Sequence, residues 1–275
     1  MSAGEAPAPP APLPLPVADS HAHLDLMGVP VPKTLAAAKA VGVSPITAVG
    51  IDVPSSRWAA STAAREPEVY AAVAVHPNSV AGGLPEADYE EIARLAGLPR
   101  VRAVGETGLD HYRTGPDGHA AQEEAFRRHI AIAKEAGKAL VIHDRDAHDD
   151  VLRVLAEEGA PEVTVFHCFS GDENLARVCA DAGYYMSFAG NVTFRNAEDL
   201  RAAARAAPAE LLLVETDAPF LTPMPYRGRP NAPYLVPLTV RALAALRDVE
   251  LSELCATLSA NGTRAFGPER AFGPE

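Results

Sequence analysis

Two kinds of segment that would place this 275-residue chain in or across a membrane are missing from its sequence. There is no run of about 18 apolar residues, so no transmembrane helix is expected. The N-terminus has no basic region followed by an apolar stretch, and it therefore does not resemble a secretory signal. We expect a cytoplasmic protein that does not interact with membranes.

Cysteine and basic charge are also scarce. The three cysteines, Cys168, Cys179 and Cys255, are odd in number and have no C-x-x-C spacing, which argues against a disulfide framework and fits a reducing compartment. The net charge of −12 excludes a basic surface over the whole protein that would hold nucleic acid by counterion release. A local positive site, for instance one supplied by metal ions, is still compatible with this charge.

Proline and alanine are concentrated at the N-terminus, in residues 1–16, and this composition predicts an extended or disordered leader. At the other end, the segment AFGPE of residues 265–269 returns at 271–275, which is too short a repeat for a solenoid. We expect residues 266–275 to be a frayed tail, and residues 17–265 to form a single domain.

Short apolar runs alternate with longer segments of helical periodicity between these ends. Eight runs are predicted strands: Val17–Ser20, Ile46–Ile51, Tyr70–Val75, Val101–Glu106, Ala139–His143, Val163–His167, Tyr184–Ala189 and Leu211–Glu215. Helical segments such as 121–136, 146–158, 197–206 and 236–246 are long enough to return the chain for parallel pairing. The pattern predicts an α/β fold, a (β/α)8 TIM barrel, rather than an open doubly wound sheet, because no G-x-G-x-x-G follows the first strand.

Polar side chains of two types stand at the ends of five of these strands. They are His21, His23, Glu106, His143, His167 and Asp217. The ends of parallel barrel strands share one face, which is where such barrels carry their chemistry. Imidazole and carboxylate are ligands of Zn²⁺ and related ions, and six donors exceed the needs of one four-coordinate ion. The sequence therefore predicts two divalent ions, with Glu106 as the best bridge between them.

The segments around these residues resemble the TatD-like metal-dependent deoxyribonucleases of the amidohydrolase superfamily. The matching segments are DSHAHLD (19–25), HPN (76–78), GETGLDHYR (105–113), HDRDAHDD (143–150), HCFSG (167–171), GNVTFRNA (190–197) and ETDAPFLTP (215–223). The resemblance implies that His21, His23 and Asp217 bind one ion, that His143 and His167 bind the other, and that Glu106 bridges them. The mixed set of imidazole and carboxylate ligands suits Zn²⁺ or Mn²⁺, and Mg²⁺ is a third candidate.

Two positions depart from the family pattern. Ala232, in RGRPNAP (227–233), replaces the Glu of an Asn-Glu-Pro sequence, and Ala18 replaces a larger apolar residue before DSH. Neither change removes a ligand. The Ala232 replacement leaves open the shape of the outer wall of the site and the substrate preference.

The leading functional hypothesis is a deoxyribonuclease that acts on DNA from an end, with 3′–5′ exonuclease-type phosphodiester hydrolysis by a metal-activated water. Asp217 would orient that water and accept its proton, and Glu106 would stay ionised beside the cations. Guanidinium groups suit phosphate oxygens, and several candidates follow the strand ends. The predicted substrate contacts are His76, His111, Arg113, Arg145, Arg195 and Arg227, with His76 equally suited to supporting a ligand.

Two other hypotheses remain open. A metal-dependent deacylase or amidohydrolase, acting on an aminoacyl ester or a small amide, would use the same ions to polarise a carbonyl. A barrel that only binds a ligand is disfavoured, because six clustered polar groups are costly to bury without a metal. We expect a monomer, and we expect His119, His129 and His148 to face solvent.

Overall fold

The computed structural model describes residues 6–80 and 82–267. Most of the predicted tail at 266–275, and the first five residues of the leader, lie outside the described residues. The proposed domain boundaries stay predictions. Within the described residues, no helix is both long and apolar enough to cross a membrane.

Eight strands form one sheet, in the order of the sequence. They are β1 Val17–Ala22, β2 Val43–Val49, β3 Val69–Val73, β4 Val101–Asp110, β5 Ala139–Arg145, β6 Thr164–Phe166, β7 Tyr185–Phe188 and β8 Leu212–Val214. Pairing is parallel from β3 through β6 and between β7 and β8, and a parallel bridge joins Ala22 to Ala218. This is the (β/α)8 barrel that the sequence predicts.

Helices separate the strands throughout the described residues. They are α1 Val31–Ala40, α2 Val53–Arg65, α3 Glu86–Ala96, α4 Pro116–Glu135, α5 His148–Glu158, α6 Glu173–Asp181, α7 Glu198–Ala206, α8 Val236–Arg247 and α9 Leu251–Phe266. Short 3-10 turns cover Leu24–Met27, Pro77–Ser79, Gly190–Thr193, Ala209–Leu211 and Pro233–Leu235.

The chain divides into two compact units, with boundaries after Thr47 in β2, after Ser170 and after Arg264. The described residues of the first unit are 6–47 and 171–264. Its core includes Val17, Met186, Phe188 and Leu212, all buried, because β1, β7 and β8 are covered on both faces. A hydrogen bond of 2.7 Å between the hydroxyl groups of Ser20 and Ser187 satisfies the polar side chains among them.

The described residues of the second unit are 48–80, 82–170 and 265–267. Consecutive residues of β5, from Leu140 to Ile142, are buried, as expected for a strand covered on both faces. Helix α2 begins with a capping box: the Asp52 carboxylate accepts from the Ser55 backbone N–H at 2.7 Å, and the Ser55 hydroxyl accepts from the Asp52 N–H at 3.0 Å. These bonds satisfy donors that the first turn of a helix leaves unpaired.

Strand β4 is longer than predicted, since it continues past Glu106 to Asp110. The extension pairs with the end of β5, where Asp110 lies opposite Arg145. Gly108 permits this pairing: its φ is +139°, and a Cβ at this position would lie 2.1 Å from the carbonyl oxygen of His143. The sequence alone placed the whole segment after Glu106 in a loop.

The described part of the leader, residues 6–16, contains neither helix nor strand but contacts the first unit. The Leu13 N–H donates to the Val41 carbonyl at 3.0 Å, and the Tyr234 hydroxyl donates to the Pro7 carbonyl at 2.7 Å. Leu13 itself is buried. This part of the leader therefore packs on the first unit, whereas its composition suggests a segment surrounded by solvent.

Candidate metal centre

The end of β1 and the residues after β8 bring His21, His23 and Asp217 together in the first unit. The Nε2 atoms of the two histidines are 3.4 Å apart, because residues two apart on an extended segment point the same way. The Asp217 Oδ1 lies 3.4 Å from the His23 Nε2 and 3.9 Å from the His21 Nε2. Backbone bonds hold this register: the Asp217 N–H donates to the His21 carbonyl at 2.9 Å, and the His23 N–H to the Ala218 carbonyl at 2.8 Å.

Buried polar groups support the backbone on either side of Asp217. Asp19 accepts hydrogen bonds from the Thr216 N–H at 2.9 Å and the Thr216 hydroxyl at 2.6 Å. Burial raises the pKa of Asp19 to about 7, although these hydrogen bonds favour its ionised form. The Asn231 amide donates to the Thr216 carbonyl at 2.9 Å and also to the Phe220 carbonyl. The turn that carries Asp217 is thereby held on both sides.

A second group surrounds Glu106 in the second unit. Its Oε1 lies 2.7 Å from the His143 Nδ1, 2.8 Å from the His167 Nε2 and 3.4 Å from the His76 Nε2. Burial raises the pKa of Glu106, but the charges of His167 and His76 and hydrogen bonds from His143 and His167 outweigh it. The pKa lies well below its usual range, so Glu106 is ionised.

Hydrogen bonds define which nitrogen of His143 points to Glu106. Its Nε2–H donates to the Asp110 Oδ2 at 3.1 Å, and Asp110 is held by the Asn78 amide and the Arg113 backbone N–H, each at 2.8 Å. Burial lowers the pKa of His143, but the bonds to Asp110 and Glu106 raise it above the usual value. A carboxylate behind the outer nitrogen is the usual support of a metal-binding imidazole, and Nδ1 would face the cation.

His76 has the opposite arrangement. Its Nδ1 accepts from the Asn78 backbone N–H at 3.0 Å, so a ring proton is on Nε2, which points to Glu106. His76 is therefore suited to donating a hydrogen bond in this group, beside a carboxylate. The sequence indicated His76 only by its place in HPN after the third strand.

The donor atoms of both groups fit a divalent cation. In His21, His23 and Asp217, and likewise in His76, Glu106 and His143, the ligand atoms all lie within 4.8 Å of one another. Imidazole nitrogen with carboxylate oxygen suits Zn²⁺ and Mn²⁺. Five of the six predicted ligands belong to these two sets, and the sixth, His167, has its Nε2 2.8 Å from the Glu106 Oε1. The bridging role of Glu106 stays a prediction.

The predicted substrate contacts other than His76 lie on loops and strand ends outside these groups. The Arg145 guanidinium lies over the Tyr112 ring at 4.1 Å, and that of Arg227 over the Phe194 ring at 4.2 Å. His111 stacks on His119 with ring centroids 3.7 Å apart. The side chains of Arg113 and Arg195 are exposed. Their roles toward a substrate stay predictions.

One prediction about a histidine is wrong. His129, expected to face solvent, is fully buried on α4. The face of this helix that carries His129 also carries Phe126 and Ile130, and it packs against the sheet.

Comparison with known proteins agrees with this geometry. The family model described as TatD related DNase matches residues 18–267. The chain belongs to this family. A metal-dependent hydrolase from Mycobacterium tuberculosis, named TatD, is 49% identical over 234 residues, which cover 84% of this chain and 88% of the relative. The metal-dependent hydrolase YabD of Bacillus subtilis is 38% identical over 85% of this chain and 91% of its own length.

Solved structures show the same fold. The TatD homologue YjjV from Escherichia coli superposes with a TM-score of 0.84 at 26% identity, and the match covers 91% of this chain and 97% of YjjV. A TatD family hydrolase from Entamoeba histolytica has a TM-score of 0.82 at 19% identity, covering 94% and 99%, and shows the fold alone. A metal-dependent hydrolase is the function that the relatives and the two ligand groups support.

Proposed function

We propose that this TatD-family protein is a metal-dependent deoxyribonuclease that removes nucleotides from a DNA end, in the 3′–5′ direction. His21, His23 and Asp217 would hold one divalent ion, and Glu106, His143 and His167 the other. The proposal rests on one observation above all: a chain of this family has two compact sets of imidazole and carboxylate donors, His21 with His23 and Asp217, and His76 with Glu106 and His143. His167 adjoins the second set, with its Nε2 2.8 Å from the Glu106 Oε1.

Bound divalent ions supply a Lewis acid and lower the pKa of a coordinated water. The protein's own groups would do the rest. Asp217, on a turn fixed by Asn231 and Asp19, would orient the attacking water and accept its proton at a carboxylate oxygen. His76 would donate from Nε2–H to an oxygen of the phosphodiester, since its Nδ1 is occupied by Asn78. Glu106 stays ionised and offsets the charge of the cations.

The preference for a phosphate-bearing polymer is supported by two cation–aromatic pairs. In the first pair, Tyr112 follows β4 and Arg145 is the last residue of β5. In the second, Phe194 follows β7 and Arg227 follows β8. Each ring restricts a guanidinium that can then pair with phosphate oxygens at a lower entropic cost. Tyr112 is also 65% exposed, and an exposed ring can stack on a base of a single strand.

A digestion of end-labelled DNA tests the proposal. Purified protein stripped with EDTA is supplied with Zn²⁺, Mn²⁺ or Mg²⁺ and incubated with single- and double-stranded DNA labelled at the 5′ or the 3′ end. We expect metal-dependent release of mononucleotides from the 3′ end. The His143→Ala variant is the matched inactive control.

Two results would count against the proposal. Cleavage of an aminoacyl ester or a small amide, with intact DNA, would assign the same centre to a deacylase or amidohydrolase. Less than one metal ion per chain by elemental analysis, with no activity after metal addition, would reject the metal centre. Size-exclusion chromatography with light scattering tests the expected monomer, and cell fractionation tests the expected cytoplasmic location.

A further inference from the structure

Helix α4 buries two polar side chains that the proposed reaction does not use. Gln122 and His129 are seven residues apart, about two helical turns, and therefore lie on the same face of the helix. They are 1% and 0% exposed. Polar groups buried to this extent require partners, and those partners identify what the residues do.

The partners of His129 define its protonation. Its Nε2 accepts from the Val75 backbone N–H at 3.4 Å, so the proton of the neutral ring is on Nδ1. Burial lowers the pKa of His129 to about 3, which keeps the ring neutral near pH 7. The Nδ1–H therefore donates to the Thr107 hydroxyl at 2.8 Å. One ring links the chain after β3 to the middle of β4.

Both partners of His129 adjoin residues of the Glu106 group. Val75 precedes His76, and Thr107 follows Glu106. The side chains of His76 and Glu106 lie close together, with 3.4 Å between the His76 Nε2 and the Glu106 Oε1. A shift of either backbone segment would change that distance directly.

Gln122 bonds to the same two segments of the chain, at residues that follow those held by His129. Its Oε1 accepts from the Asp110 N–H at 2.9 Å, and its amide donates to the Thr114 hydroxyl at 2.8 Å and to the Pro77 carbonyl at 3.3 Å. Pro77 follows His76, and Asp110 is the carboxylate that supports His143. Helix α4 thus holds the backbone on both sides of His76 and beyond Glu106.

We propose that His129, together with Gln122, is a positioning residue that sets the spacing of Glu106 and His143, two proposed ligands of the ion in the second unit, relative to their neighbour His76. This role rests on the proposed metal-dependent function. Removing a supporting hydrogen bond behind a ligand commonly lowers metal affinity about 10- to 100-fold. His129 contacts residues that adjoin this group and not a ligand itself. We therefore expect a loss of metal affinity at the lower end of this range, about tenfold.

Binding of Mn²⁺ to the stripped protein tests the role without any turnover. Free Mn²⁺ is measured by electron paramagnetic resonance during titration of the wild type, His129→Leu and His129→Gln. Leucine removes both hydrogen bonds at similar volume, while glutamine keeps one acceptor and one donor. Ile130→Ala is the control, because this buried neighbour on α4 makes only apolar contacts through its side chain. Thr107→Val is a milder variant that deletes only the partner hydroxyl.

The proposal predicts that His129→Leu weakens one Mn²⁺ site about tenfold, leaves the second unchanged, and is largely rescued by His129→Gln. Thr107→Val should weaken the same site if His129→Leu does not fold. Ile130→Ala should lower the melting temperature while keeping wild-type affinity. Unchanged affinity in His129→Leu or Thr107→Val, or an equal loss in Ile130→Ala, would overturn the positioning role. A wild type that binds no Mn²⁺ would reject the metal centre and this role with it.

Discussion

Burial of His129 makes the stability of the fold dependent on pH in a predictable direction. The pKa of this imidazole is about 3 in the folded chain and 6.5 in a solvated one, because burial disfavours the charged ring. The unfolded chain therefore binds a proton below pH 6.5 that the folded chain does not bind. A depressed folded pKa contributes stability that is present above the unfolded pKa and is lost as the pH falls toward the folded one.

The magnitude follows from the linkage relation. Each pH unit below the unfolded pKa costs about 1.4 kcal/mol until the folded pKa is reached. Between about pH 7.5 and about pH 5, the folded state should lose about 2 kcal/mol of unfolding free energy through this one ring. His129→Gln cannot titrate in this range. The unfolding free energy of the wild type relative to that of the variant should accordingly fall by about 2 kcal/mol on acidification.

Urea denaturation of both proteins at the two pH values measures this difference. EDTA is present throughout, so that metal binding does not contribute. All other titrating groups are shared by wild type and variant, and their contributions cancel in the double difference. A difference in unfolding free energy between the wild type and His129→Gln that is the same at both pH values would refute the assignment of a neutral, buried His129.

Three further changes have expected outcomes. Asp217→Asn should lower kcat about 10²- to 10⁴-fold with an unchanged urea midpoint, and a near-normal kcat would remove Asp217 from the role of base. Gly108→Ala should destabilise the protein by at least about 1 to 3 kcal/mol, because its φ is +139° and its new Cβ would overlap the His143 carbonyl; a thermal melt equal to that of the wild type would contradict this. Arg227→Ala should raise KM for DNA and reduce the slope of log affinity against log salt by about 1, and an unchanged slope would show that Arg227 makes no phosphate contact.

The sequence was sufficient to predict the barrel, and it also indicated six candidate ligands. Leu211 to Val214 is an uninterrupted apolar run, as a strand buried on both faces requires, and eight such runs with helical segments between them allow few other folds. The six candidate ligands follow strand ends, where the order of a parallel sheet alone decides which side chains become neighbours. Both inferences need only local pattern and topology.

The way these residues are held depends on contacts that form only in the folded chain. Nothing in the sequence around His129 distinguishes it from a solvent-facing residue, because α4 is rich in alanine and charge and its buried face is defined by what packs on it. The extension of β4 to Asp110 depends on the close approach of Gly108 to β5. The proton of His76 is placed by Asn78, and that of His143 by Asp110. Local sequence pattern is enough to give the order of the strands and the chemical identity of the donors. Packing between distant segments determined their protonation and spacing, because these depend on hydrogen-bond partners that no local pattern specifies.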